Sequence, residues 1–253
     1  MKPSLMLSSG LGLLTLALTY VGLVPVWAQD FTAILANPER PADERALDAG
    51  RKPEEVLTFF GVRPGDKVAD ILAGGGYYTV ILSQLVGEKG VVYAVNNAFM
   101  KGPNKKSFTV GALDARLKNP LFANVKHIDS EVDQLALPTD GSLDFVLIHL
   151  NYHDLVLKND DRAAMNKSIF NALKPGGVYG IVDHYAKDGS GTEFTESLHR
   201  IDKAVVVHEV AAAGFVLARE GDMLRHPEDP RTEHVLRHRG ETDRFVLRFE
   251  KPQ

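Results

Sequence analysis

One stretch constrains this chain more than any other: Val68-Ala69-Asp70-Ile71-Leu72 runs into Ala73-Gly74-Gly75-Gly76 and then Tyr77-Tyr78-Thr79. The first part reads as a strand and the pattern from Tyr77 as a helix. Three glycines between them let the backbone turn sharply and approach a ligand, and the new helix points free N–H groups at it. A tight turn without a ligand would use the same residues, so polar groups at the ends of the neighbouring strands must decide.

Short apolar runs then alternate with helical patterns. Strands are expected at Lys67 to Leu72, Gly90 to Asn96, Val125 to Asp129, Leu143 to His149 and Val178 to Asp183. Helices are expected at Glu54 to Phe60, Tyr77 to Val86, Ser107 to Lys118 and Asp160 to Leu173, the last closed by Lys174-Pro175-Gly176-Gly177. That rhythm means a parallel sheet with helices on both faces. Near the end it changes: a helix from Lys203 to Ala213, strands at Phe215 to Arg219 and Phe245 to Glu250, and a proline-bearing, charged surface excursion over residues 223–241.

Ahead of this lies a leader. Lys2 is followed by no charge until Asp30, Leu11 to Val24 is dense in Leu and Val, and Val26-Trp27-Ala28 suits a signal peptidase. The expected organisation is a signal peptide at 1–28, a helical cap at 29–64 and the α/β body at 65–253. The destination is export, periplasmic or secreted, with no membrane attachment after cleavage; an uncleaved anchor is the alternative. With 29 basic against 33 acidic side chains and no basic stripe, nucleic acid is excluded as a main partner. The absence of cysteine excludes thiolate chemistry, disulfides and cysteine-ligated metal. Oligomeric state is left open.

Two further positions favour a nucleotide-like ligand. Asn96 ends the second strand, where such folds place a ribose ligand, and Asp129-Ser130 ends the third, suited to an adenine amino group. From here, over about residues 54–250, the chain resembles class I S-adenosylmethionine-dependent methyltransferases. The likeness rests on Asp70 before the glycines, the Asn96 and Asp129 positions and the Leu173 to Gly177 turn. More narrowly it resembles a group of exported, periplasmic methyltransferases carrying Asn151-Tyr152-His153-Asp154 and Asp183-His184-Tyr185. The resemblance implies a three-layer Rossmann-like α/β fold, its seven-stranded, mostly parallel sheet ending in an antiparallel strand. It also implies S-adenosylmethionine as cofactor, held by Asp70, Ala73, Gly74, Gly75, Gly76, Asn96, Asp129, Ser130 and His149. Two departures stand out: Leu72 replaces the first glycine of D-x-G-x-G-x-G, and Asn96 replaces the usual acid.

Methyl transfer to a small-molecule acceptor needs alignment and, where the nucleophile carries a proton, a base. His153, His184, Asp154 and His199 follow strands four and five and are the catalytic candidates, with His153 or His184 as base. His149, inside an apolar run, reads more readily as a core histidine, and Asp154 is equally readable as a turn residue. Arg45, Asp48 and Arg51 precede the first body helix, where Arg45 and Arg51 could hold an anion. His153, Asp154, Asp183, His184 and His199 are also metal-ligand types, but their spacing matches no metal motif and no metal is expected. His208, His226, His234 and His238 read as surface residues. Three rival readings stand beside the methyltransferase: a dinucleotide oxidoreductase, whose G-x-G-x-x-G is spoiled by Thr79; a noncatalytic binding protein on the same fold; and a metal-dependent hydrolase.

Overall fold

The computed structural model describes residues 30–98, 110–158 and 160–253. The leader expected at 1–28 and the start of the helix expected from Ser107 lie outside the described residues. Seven strands form one sheet: Lys67–Ile71 (β1), Val91–Asn96 (β2), Val125–Asp129 (β3), Leu143–His149 (β4), Leu173–His184 (β5), Val216–Gly221 (β6) and Arg244–Glu250 (β7). Their order is β3-β2-β1-β4-β5-β7-β6. β1 to β5 pair in parallel, while β7 runs antiparallel to both β5 and β6. This is the α/β sheet that the sequence implied.

The helices are Phe31–Ala36 (α1), Ala42–Ala46 (α2), Asp48–Arg51 (α3), Pro53–Phe60 (α4), Tyr77–Val86 (α5), Val110–Arg116 (α6), Asp154–Leu157 (α7), Arg162–Ala172 (α8), Thr195–Leu198 (α9) and Lys203–Ala212 (α10). Alternation along the strands sorts apolar side chains into two layers. Val68, Phe145, Leu147 and Val182 face Val56, Leu57 and Phe60 of α4 and the apolar side of α5. Ala69, Ile71, Val146, Ile148 and Ile181 face Met165 and Ile169 of α8 and Val206 and Val210 of α10. Each fully buried Leu, Ile or Phe contributes about 1.5–3 kcal/mol.

The chain lays β2 and β3 on one side of β1 and then crosses to place β4 on the other. That reversal between β1 and β4 opens a crevice at their carboxyl ends, where open α/β folds bind ligands. Both strands leave the sheet there through a leucine in left-handed backbone, Leu72 at φ 58° and Leu150 at φ 60°. For a non-glycine residue this conformation costs roughly 1–2 kcal/mol.

Two expectations need correction. Lys174-Pro175-Gly176-Gly177 is not a turn ahead of the strand but part of β5: Leu173 already pairs with Leu143, and the register then slips before Phe145 meets Val178. Gly176, at φ 74°, absorbs the slip. Residues 223–241 are not merely a surface excursion. Leu224 and Val235 are buried, and the fully buried Arg200 anchors the segment. Its guanidinium donates to Asp229 at 2.8 and 3.2 Å, to the Glu233 carbonyl at 3.0 Å and to the Tyr185 carbonyl at 3.1 Å. Arg225 and Arg231 both close on Asp243, whose side chain is fully buried.

Candidate active site

The glycine turn forms one wall of a cleft of about 590 Å³ whose lining includes Asp70, Leu72, Ala73, Gly74, Gly75 and His149. Gly74 (φ 58°) and Gly76 (φ 88°) adopt backbone that a side chain would strain. Asp70 accepts a hydrogen bond from Thr79 Oγ1 at 2.7 Å. Burial pushes its carboxyl up to about 7, against the pull of Thr79 and Arg51. Tyr78 and His149 pack ring to ring at 4.6 Å. Tyr78 Oη and His149 Nε2 are buried in this cleft with no hydrogen-bond partner among the described residues.

Asn96 does not face the cleft. It is fully buried, its Oδ1 accepts from Gly74 N at 2.8 Å and its Nδ2 donates to the Gly74 carbonyl at 3.2 Å. The residue expected to hold a ribose instead holds the glycine turn in place. Asp129, largely exposed, and Ser130 also stand outside the cleft lining. The Ser130 hydroxyl is spent on its own turn, donating to the Gln134 carbonyl and accepting from Ala136 N. Converting Asn96 to Asp keeps the acceptor but strips the donor from the Gly74 carbonyl and buries a carboxylate. We expect urea unfolding to show a loss of about 1–3 kcal/mol at neutral pH, recovered in part in acid. A gain in cofactor affinity without loss of stability would place this side chain on the ligand after all.

A second cavity, of about 570 Å³, lies beside the first and shares Leu47, Arg51, Leu150 and Arg239 with it. His153, Asp154, His184 and His199 all line it. The Asn151 to Asp154 loop is pinned from below: Tyr152 is fully buried, donates to Glu209 at 2.8 Å and accepts from Asn166 at 2.9 Å. His199 reaches the loop because Ile201 N donates to the His184 carbonyl and Ala186 N to the Ile201 carbonyl, locking this segment along the end of β5.

His153 is clamped by Asp183, a fully buried carboxylate. It accepts from His153 Nδ1 at 2.7 Å, His153 N at 2.8 Å and His184 N at 2.7 Å. The other ring nitrogen of His153 lies 3.1 Å from His199 Nδ1 and 3.3 Å from Asp154 Oδ1. Burial disfavours its cation, but Asp183 and Asp154 outweigh burial and push it up to about 10. Both nitrogens are engaged, which makes His153 a poor free base. Burial and the neighbouring cations His153 and Arg244 hold His184 well below the ordinary histidine value, with Nδ1 paired to Thr242 Oγ1 at 2.9 Å. Arg244 is buried and donates to the Thr242 and Gly240 carbonyls; burial lowers it to about 10.

A family model for the ubiE/COQ5 methyltransferase family matches residues 51–193, more than half of the chain and the part that carries the glycine turn, β1 to β5 and the Asn151 to Asp154 loop. The chain belongs to the ubiE/COQ5 methyltransferase family. Within the family, the ubiquinone/menaquinone biosynthesis C-methyltransferase UbiE of Cronobacter sakazakii is 27% identical over 168 residues, covering 66% of this chain and 59% of that protein. The UbiE of Teredinibacter turnerae is 33% identical over 124 residues, 48% of this chain and 44% of that protein. The chain thus spans less than two thirds of these relatives' length. A SAM dependent methyltransferase from Aquifex aeolicus superposes with a TM-score of 0.59 at 22% identity, over 88% of this chain and 99% of that one. The [4+2]-cyclase SpnF, at 14% identity and TM-score 0.58 over 80% of each chain, shares the fold as well.

The family implies S-adenosylmethionine as cofactor, and the first cleft suits a zwitterionic amino acid. Asp70 offers a carboxylate for an ammonium, Arg51 and the two unpartnered polar atoms suit a carboxylate, and the glycines allow close approach. Of the residues expected at the cofactor, the structure brings Asp70, Ala73, Gly74, Gly75 and His149 to this cleft, while Gly76 shapes the turn from behind. Tyr78 and Arg244 were missed. Tyr78 could have been found, since it stands two residues after the last glycine, whereas nothing near Arg244 in the sequence marks it as buried. Asp48, Arg45 and Arg51 divide: Asp48 pairs with the fully buried Arg40 at 2.6 Å and accepts from Tyr77 Oη at 2.6 Å, Arg45 donates to the Arg40 carbonyl, and only Arg51 lines the two cavities. His234, expected on the surface, has its ring 4.8 Å from that of His199.

Proposed function

We propose that this chain transfers the methyl group of S-adenosylmethionine to a small acceptor seated in the His153–His184 cavity. The observation that carries the reading is the pair of adjoining cavities: one is furnished for an amino acid and the other lined by imidazoles and Arg244, with Leu47, Arg51, Leu150 and Arg239 common to both. When bound, S-adenosylmethionine supplies an electrophilic methyl carbon on a sulfonium sulfur. Asp70 and Arg51 would fix the amino-acid end, and the Gly74 and Gly75 backbone would lie close along it. Arg244 and Arg51 would favour an acceptor in anionic form, holding its nucleophilic atom toward the shared boundary. The relatives' names concern C-methylation in quinone biosynthesis, so an acceptor with an acidic ring carbon or hydroxyl fits both the relatives and the cations here. Export belongs to the same reading, supported by the uncharged run between Lys2 and Asp30; fractionation of cells expressing the full chain is its check.

Calorimetric titration with S-adenosylmethionine tests the proposal, and pH sharpens it. Above its value of about 7, Asp70 is anionic and favours the ligand's ammonium; below, it is neutral. Tyr78 and His149 keep one state across this range, since burial pushes the first up and the second down. Affinity is therefore expected to fall about tenfold from pH 8 to pH 6, and Asp70→Asn to weaken binding and flatten that slope. Stability of the free protein has the opposite sign: the raised folded value of Asp70 means its contribution is present below pH 4 and lost as pH rises through about 7. No binding of S-adenosylmethionine at millimolar concentration would favour a noncatalytic protein on this fold.

A further inference from the structure

Three potential ligand atoms meet at the wall of the second cavity: His153 Nε2, His199 Nδ1 and Asp154 Oδ1. Their separations are 3.1 Å between the imidazoles and 3.3 Å from the carboxylate to each of them. Bonds of about 2.1 Å around one ion put neighbouring donors about 3.0 Å apart in an octahedron and about 3.4 Å apart in a tetrahedron. The triangle sits between these limits, and it is the group of at least three such side chains found close enough for one ion among the described residues. We propose that His153, Asp154 and His199 form a three-ligand site for a divalent transition metal, with its remaining coordination positions open to the cavity.

The surroundings are those of a built site. Asp183 accepts a hydrogen bond from His153 Nδ1–H at 2.7 Å and fixes which nitrogen enters the triangle, the relation a carboxylate commonly has to a metal-bound imidazole. That carboxylate is itself immobilised by two backbone N–H groups. His199 is held at φ 55°, a conformation uncommon outside glycine, with its ring against that of His234. Asp154 opens α7, whose loop is pinned through buried Tyr152. Two imidazoles and one carboxylate suit zinc, manganese, iron, cobalt or nickel rather than calcium.

Open positions facing a cavity that also holds Arg244 and Arg51 select an exogenous ligand with two adjacent oxygen donors and negative charge: vicinal hydroxyls on an aromatic ring, or a hydroxy-carboxylate. The site goes beyond the methyl-transfer reading and does not depend on it, because metal alone is the probe.

The test uses the full chain stripped with a chelator and then dialysed. Titration with Co²⁺ and with Zn²⁺, followed by calorimetry and by the visible absorption of Co²⁺, is expected to show one equivalent bound with a dissociation constant below about 10 μM. His199→Ala and Asp154→Ala should each weaken binding by about 100-fold or more, and Asp183→Asn by about 10- to 100-fold. Circular dichroism of each variant reports whether the fold survives, so that lost binding is not mistaken for lost structure. Saturable Co²⁺ binding that disappears in both ligand variants supports the site. No binding by the wild type up to 1 mM overturns it, leaving a proton on His153 as what holds the triangle together. Binding unchanged in His199→Ala and Asp154→Ala overturns it too, and would move the ion to other histidines such as His226 or His238.

Discussion

Arg200→Met is expected to lower stability by about 3–5 kcal/mol. The guanidinium is fully buried and serves three partners at once, two in the 222–243 segment and one just past β5: Asp229, the Glu233 carbonyl and the Tyr185 carbonyl. Methionine fills much of the volume but leaves the nearly buried Asp229 without its cation, and an uncompensated buried charge is what makes breaking such a pair costly. The backbone N–H groups of Arg231 and Asp243 still hold that carboxylate at 2.9 and 2.7 Å, which argues for the lower half of the range. A fall of melting temperature on the order of 10 °C should accompany the loss. The pH dependence carries a second signature. Burial pushes Asp229 up, but those N–H groups and Arg200 together hold it below the ordinary carboxylate range. Its contribution is therefore present above about pH 4 and lost as pH falls through the lower folded value, and Arg200→Met should weaken that acid slope. A change under 1 kcal/mol would mean that the segment is anchored by its other arginines alone.

Gly76→Val is expected to remove cofactor binding. Gly76 sits at φ 88°, and an added Cβ would lie 2.8 Å from Leu113 Cδ1, inside contact distance. The backbone conformation costs a valine roughly 1–2 kcal/mol and the overpacking about 1–3 kcal/mol more. The tip of the buried Leu113 side chain can give way in part, but relief of the backbone strain at φ 88° opens the turn that Gly76 N closes on the Ala73 carbonyl and that Asn96 holds through Gly74. The cleft proposed for the cofactor is built on that turn, so affinity for S-adenosylmethionine should fall at least 100-fold by calorimetry in a protein that still unfolds cooperatively. Gly87→Val is the control. It has φ 66° and nothing within 4 Å of an added Cβ, and should show the backbone cost with cofactor affinity unchanged. Equal affinity for Gly76→Val and wild type would put the cofactor somewhere other than this turn.

The parts of the fold legible in the sequence were those governed by periodicity. β3 and β4 match their expected bounds, and α5 spans Tyr77–Val86 as read, because short strand-forming runs set between turn residues, and a glycine turn, leave marks in the order of residues. The segment from 222 to 243 left no such mark, since arginine and carboxylate pairs stabilise it and these have no period. Asn96 shows a second limit. Its place at the end of β2 was readable, but whether its side chain turns toward a ligand or under the glycine loop depends on a hydrogen bond to a residue 22 positions away. The gathering of His153, Asp154, His184 and His199 was foreseen as strand-end chemistry. Their close geometry was not, because it depends on the parallel bridge between Tyr185 and Ile201 and on the buried clamp of Asp183.

Gly50 lines the second cavity, and a Cβ placed on it would lie 2.7 Å from the Gly240 Cα. The amino-terminal helices and the 222–243 segment therefore meet over the cavity as bare backbone, with no side chain between them. If the proposed acceptor sits in this cavity, main-chain spacing at this seam would help set how large it can be. A single methyl group at position 50 can only push them apart. Because the neighbouring Arg51 and Arg239 line both cavities, a side chain at position 50 would also shift the wall that the two cavities share.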